Sequence, residues 1–247
     1  MLKTSYNRKE LYGLGPQPSY SGRNLDEIAF PLGGIGTGSI SLGGWGQLRD
    51  WEIMNRPAKG FVVPRAFFTL KVNGSGKSPI IKVLQGPVGG SYVGEGHSLV
   101  ISHDRNELGQ GLPHFRKAVF TGAFPIATLK LEDPDVPVKV VLEAFNPFIP
   151  LNDKDSSIPV VFFIYSFENT SNKKITATVY GNLTNIIDED AEGRVNEAKK
   201  DGTITGLYLT NAKISSDSPK YGSMVLATTC SSSSVWTHWK DSSLSKF

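Results

Sequence analysis

Apolar runs of strand length recur along the whole chain, and clusters of Gly, Pro, Asn and Asp cut each one off before it reaches the length of a helix. This punctuation restricts the chain to sheets joined by tight turns, and the expected helix content is below about a tenth. In Ala66-Phe67-Phe68-Thr69-Leu70-Lys71-Val72 the residues Ala66, Phe68, Leu70 and Val72 share one face. Asn73-Gly74-Ser75-Gly76 then turns the chain into Ile80-Ile81-Lys82-Val83-Leu84, which makes a hairpin. A second hairpin runs from Phe124–Glu132 through Asp133-Pro134-Asp135 into Val138–Phe145. A third is expected to join Val160–Glu168 to Ile175–Leu183 through Asn169-Thr170-Ser171-Asn172. Successive hairpins make the fold class all-β: a large antiparallel β-sandwich with little helix. Within it, Val160-Val161-Phe162-Phe163-Ile164-Tyr165 is apolar on both faces and is expected to be a central strand covered on either side.

The chain has 247 residues, 39% of them hydrophobic, enough to bury a sizeable core as one unit. One β-sandwich domain over residues 1–247 is expected, with residues 1–27 as an N-terminal extension. The 26 Lys and Arg nearly balance the 23 Asp and Glu and are scattered, so no basic arm is built for nucleic acid. The stretch Met1–Leu14 is polar, and no segment approaches the ~20 apolar residues of a membrane span, which leads to the expectation of a soluble, cytoplasmic protein. Cys230 stands alone and reads as a small core residue at the end of Met224-Val225-Leu226-Ala227.

The usual marks of chemistry are weak. His97, His103, His114 and His238 are irregularly spaced for a metal motif, and the acidic Asp188–Arg194 reads as a solvated loop, so no metal and no cofactor is expected. Gly74-Ser75-Gly76-Lys77-Ser78 imitates the end of a phosphate-binding loop, but Lys71 holds the first glycine position and no helix follows. No Gly-x-Ser-x-Gly elbow occurs. The carboxylate pairs Asp133/Asp135 and Asp153/Asp155 lie in turns, where Asp bonds local backbone.

The most unusual stretch is Phe30–Gly46, with seven glycines between positions 33 and 46. Such density weakens a strand unless another backbone must come close. It continues into Gln47-Leu48-Arg49-Asp50-Trp51-Glu52-Ile53-Met54-Asn55-Arg56-Pro57, and this block resembles the N-terminal signature of glycoside hydrolase family 116, the β-glucosidase and non-lysosomal glucosylceramidase family. Leu142–Asn152, Asp155–Val160 and Phe124-Pro125-Ile126-Ala127 resemble the same family.

The resemblance implies a non-catalytic N-terminal β-sandwich that supports a larger helical barrel and shapes its groove for a β-glucoside. Retention by such an enzyme needs two carboxyl groups about 5–5.5 Å apart. The family places both in the helical domain, the implied partner, so no catalytic residue is carried over and this chain alone is expected to be inactive. Arg49, Asp50, Trp51, Asn55 and Arg56 are the candidates for lining the substrate groove or the interdomain contact, because an aromatic face, an amide and fixed cations recognise sugars and carboxylates. Simple alternation would put Arg49, Trp51, Ile53 and Asn55 on one face and Asp50, Glu52, Met54 and Arg56 on the other. The structural alternative packs Trp51 in the sandwich and pairs Arg56 with Asp50 or Glu52. The rival functional class is a free-standing carbohydrate-binding or interaction module. A scaffold for another domain is expected to leave an apolar patch uncovered.

Overall fold

Strand accounts for 43% of the described residues and helix for 6%, the balance expected from the turn-punctuated sequence. The computed structural model describes residues 7–13, 15–54, 57–74, 76, 78–88, 112–188 and 192–238. The elements in chain order are α1 (Arg8–Tyr12), β1 (Ser19–Tyr20), a 3-10 turn (Gly22–Leu25), β2 (Ala29–Leu32), β3 (Ser39–Gly43), β4 (Leu48–Glu52), β5 (Phe67–Asn73), β6 (Ile80–Val83), β7 (Lys117–Ala123), β8 (Ile126–Glu132), β9 (Val138–Phe145), α2 (Asp153–Ser156), β10 (Phe162–Asn169), β11 (Thr176–Asn182), β12 (Arg194–Asp201), β13 (Ile204–Asn211) and β14 (Met224–Thr228).

These strands form four antiparallel sheets. The largest has the order β1-β7-β8-β9-β10; the others are β2-β3-β4, β11-β5-β6 and β12-β13-β14. Alternation on the large sheet turns Phe120, Leu129, Leu142 and Tyr165 inward along one cross-strand row and Ala118, Leu131, Val140 and Phe167 along another. Sheets β2-β3-β4 and β11-β5-β6 cover this face. Phe30 packs on Phe120 at 6.1 Å between ring centroids, and Phe68 packs on both Phe163 and Tyr165 at 5.4 Å. One core results, with Leu32, Leu42, Trp45, Leu70 and Leu84 among its members. Burial pushes the Tyr165 hydroxyl well above its ordinary pKa. The segment read as an extension is tied in as well: Ser19 and Tyr20 pair with β7, and Leu25 is buried.

The first two expected hairpins form, with Val72 opposite Ile80 and Ile126 opposite Phe145. The third does not. β10 pairs with β9 and β11 pairs with β5, so residues 170–175 carry the chain from one sheet to the other. Asn169 does make the local reversal, donating from Nδ2 to the Lys173 carbonyl (2.8 Å) and accepting from the Ser171 amide (2.9 Å), but the same turn chemistry serves an intersheet corner. A second correction concerns Val160–Tyr165. β10 is the edge strand, not a central one; Phe163 and Tyr165 face the core while Phe162 and Ile164 are 43% and 47% exposed on the outer face. Cys230 is likewise exposed, because β14 ends at Thr228 and the following Ser-rich segment runs on the surface.

Candidate functional site

The residues of the first signature block are organised by a β-bulge. Ser41 opposes Arg49 and Ser39 opposes Glu52, so β4 carries one residue more than β3 across this interval. Asp50 absorbs it with φ +51°, a left-handed conformation that Asp tolerates better than most residues. Simple alternation therefore fails: Arg49, Asp50 and Trp51 are buried in succession. Arg49 Nε donates to Asp50 Oδ2 (3.1 Å), and the Gly60 amide donates to Asp50 Oδ1 (2.7 Å). Lys59 lies 3.7 Å from the same carboxylate, and Glu52 accepts from the Ala58 amide (3.4 Å), so the two acids hold the loop at 58–60 against β4. Burial pushes the Arg49 guanidinium down from its ordinary pKa, against the pull of Asp50. Trp51 belongs to the core and donates from Nε1 to the Leu48 carbonyl (3.3 Å). Asn55 and Arg56 lie outside the described residues, as do His97 and His103.

Both carboxylate pairs lie at turns or caps, and Asp133, Asp135 and Asp155 are engaged by structure. Asn152 caps α2, accepting from the Asp155 amide (3.1 Å) and donating to Asp155 Oδ2 (2.7 Å). Asp133 accepts from the Asp135 amide (3.0 Å) and from Lys82 Nζ (2.9 Å), with Arg116 at 3.8 Å; Arg116 also pairs with Asp135. Burial opposes the charge on Asp133, but the hydrogen bonds from Lys82 and Asp135 and the nearby cations outweigh it and hold the carboxyl below its ordinary value. A carboxyl depressed in the folded state stabilises above its unfolded pKa of about 4 and loses that contribution as pH falls through the folded value. Asp133→Asn is thus expected to cost about 1–3 kcal/mol at neutral pH, the range for losing a charged hydrogen bond. Thermal melts should converge with those of the parent chain as pH falls through the lowered folded-state value of Asp133, below which both side chains are neutral; a deficit that does not shrink at all on acidification would refute the assignment. His114 is also structural, with Nδ1 2.9 Å from the Gly86 carbonyl. Among the described residues no group of three His, Cys, Asp or Glu is placed to hold a metal.

The two signature blocks, over 100 residues apart in sequence, meet. The Ile35 amide donates to the Ser156 carbonyl (2.9 Å) and Thr37 Oγ1 to the Ser157 carbonyl (2.9 Å). Gly34 lies so close that a Cβ there would sit 2.5 Å from the Ser157 oxygen and 2.6 Å from that of Ile158. Gly34 thus answers to a close backbone approach, while Gly33, Gly36, Gly38 and Gly46 take positive φ. Ser156 Oγ in turn accepts from the Ile149 amide (2.9 Å) and donates to its carbonyl (3.1 Å), fixing the loop between β9 and α2.

Beside this junction the large sheet exposes an apolar face. Register places Ala123, Ile126, Phe145 and Phe162 in one outward row, with Phe145 and Phe162 stacked at 5.1 Å. Phe124, 58% exposed and joined to Pro125 by a cis peptide, meets Phe148 edge-on at 5.0 Å. Ile149, Leu151 and Ile158 extend the exposed apolar surface. None of these residues was a sequence candidate. The available signal was Phe145-Asn146-Pro147-Phe148-Ile149-Pro150-Leu151, where large apolar side chains occupy a Pro-containing loop that turn chemistry alone would place in water.

Among the described residues no helix is long and apolar enough to cross a membrane. Residues 29–246 match the family model described as beta-glucosidase 2, glycosyl-hydrolase family 116, N-terminal part.

Proposed function

The chain belongs to glycosyl-hydrolase family 116, as the N-terminal domain of its enzymes, and we propose that it acts as a single non-catalytic β-sandwich supporting the catalytic domain of a retaining β-glucosidase. The observation that supports this reading is the employment of the carboxylates: Asp50, Asp133 and Asp155 are all engaged in ion pairs, turns or caps that hold the fold. A retaining glycosidase needs one carboxylate free to attack and a second free to donate and take back a proton. In this reading both come from the catalytic domain. Arg49, Asp50 and Trp51 shape the groove indirectly, by fixing the loop that carries Gly60, while Asn55 and Arg56 at the end of the same block are the candidates for direct contact with the sugar.

The experiment is hydrolysis of an aryl β-glucoside. The isolated chain is expected to release no product above background, and the same chain joined to the helical domain is expected to act with retention of configuration. Hydrolysis by the purified chain that disappears in Asp133→Asn or Asp153→Asn would overturn the division of labour.

A further inference from the structure

We propose that the apolar end of the outer face of the five-stranded sheet, centred on Leu151, is the surface against which the helical catalytic domain packs. The inference rests on the functional reading above and adds the place of contact.

The outer face is graded along the strands. At one end the outward residues are Lys117, Glu132, Lys139 and Glu168, all exposed and charged; three residue pairs along, the row is Ala123, Ile126, Phe145 and Phe162. A face that met only water throughout would have no reason to change character so completely from end to end. The loop beyond the apolar end continues the trend with Phe148, Ile149 and Leu151. Leu151 is the most telling of these. It is fully exposed, and its backbone has φ +66°, a conformation that costs a Leu free energy a Gly would not spend. Among the described residues Leu151 buries nothing that offsets two unfavourable features at once, whereas a pocket in a second domain would.

The segment is also held rigid for such use. Asn152 caps α2, Ser156 clasps Ile149, and the Gly34–Thr37 loop braces Ser156 and Ser157 from behind. A preorganised surface loses little freedom on docking. The chemistry favours a protein partner over a sugar: Phe, Ile and Leu carry no hydrogen-bonding groups with which to read hydroxyls. The occupant is the domain that the family's N-terminal part accompanies.

Thiol accessibility tests the placement. In a Cys230→Ser background, which removes the exposed native thiol, Leu151→Cys and Lys139→Cys are alkylated both in this chain and in the enzyme that carries its catalytic domain. Leu151→Cys is expected to react about tenfold or more slowly in the two-domain enzyme, as a site opened only by transient undocking would, and Lys139→Cys equally fast in both. Equal rates for Leu151→Cys, or protection of Lys139→Cys instead, overturn the placement while leaving the activity assay as predicted. Protection of Leu151→Cys in the isolated chain that grows with its concentration identifies a second copy as the occupant and also overturns it. Hydrolysis by the isolated chain is a separate failure, that of the functional reading itself.

Discussion

Asp50→Ala is expected to destabilise the domain by about 3–5 kcal/mol, the cost of breaking a buried ion pair from one side. The magnitude follows from what the substitution leaves behind. The Arg49 guanidinium stays buried, 3% exposed, with its carboxylate partner removed. The Gly60 amide loses a 2.7 Å acceptor, which frees the loop that Asp50 and Glu52 hold together. Alanine also tolerates φ +51° less well than Asp. Two further variants separate these contributions. Asp50→Asn keeps an acceptor for Gly60 and a residue suited to the left-handed region while removing the charge, so it should fall between parent and Asp50→Ala. Arg49→Met in the Asp50→Asn background removes the buried cation that has lost its nearest counter-charge and should recover part of the loss. Urea denaturation midpoints measure all three. A loss below about 1 kcal/mol for Asp50→Ala, the scale of an exposed pair, would mean that the carboxylate does not hold the buried cation.

What could be read from the sequence is what local chemistry decides. β5–β6 and β8–β9 were legible because alternation and a short turn specify a hairpin without reference to the rest of the chain. The connection from β10 to β11 was not, since Asn169-Thr170-Ser171-Asn172 records that the chain reverses and not which edge it then joins. The error at Val160–Tyr165 has the same origin one level up. Two apolar faces point to cover on both, but sequence cannot say whether the cover is the chain's own sheet, as for Phe163, or a further domain, as proposed for Phe162. At the candidate site, composition drew attention to Trp51 and Arg49 because their side chains are versatile, yet burial is set by the bulge at Asp50, and a bulge leaves only a faint mark in a sequence. The glycines of the first block gave a better physical lead: their density pointed to a close approach, which the fold places at Gly34 against Ser157 and Ile158, and Gly33, Gly36, Gly38 and Gly46 meet a separate need for positive φ.

That approach gives the second large effect. Gly34→Ala is expected to cost about 3 kcal/mol, at the upper end of what overpacking usually costs. The new Cβ would lie 2.5 and 2.6 Å from the carbonyl oxygens of Ser157 and Ile158, well inside van der Waals contact, and both obstacles are backbone that a rotamer change cannot clear. Relief requires the loop at 33–38 to move off the segment after α2, which breaks the Ile35 and Thr37 hydrogen bonds to Ser156 and Ser157. Gly36 is the internal control. It has φ +73° and no atom within 4 Å of where a methyl group would stand, so Gly36→Ala meets only the backbone preference, about 1 kcal/mol. Because the displaced segment also supports the loop bearing Leu151, Gly34→Ala in the two-domain enzyme should weaken docking as well as folding, and Gly36→Ala should leave docking intact. Equal losses of stability for the two substitutions would show that the meeting of the two signature blocks is not what requires a glycine at position 34.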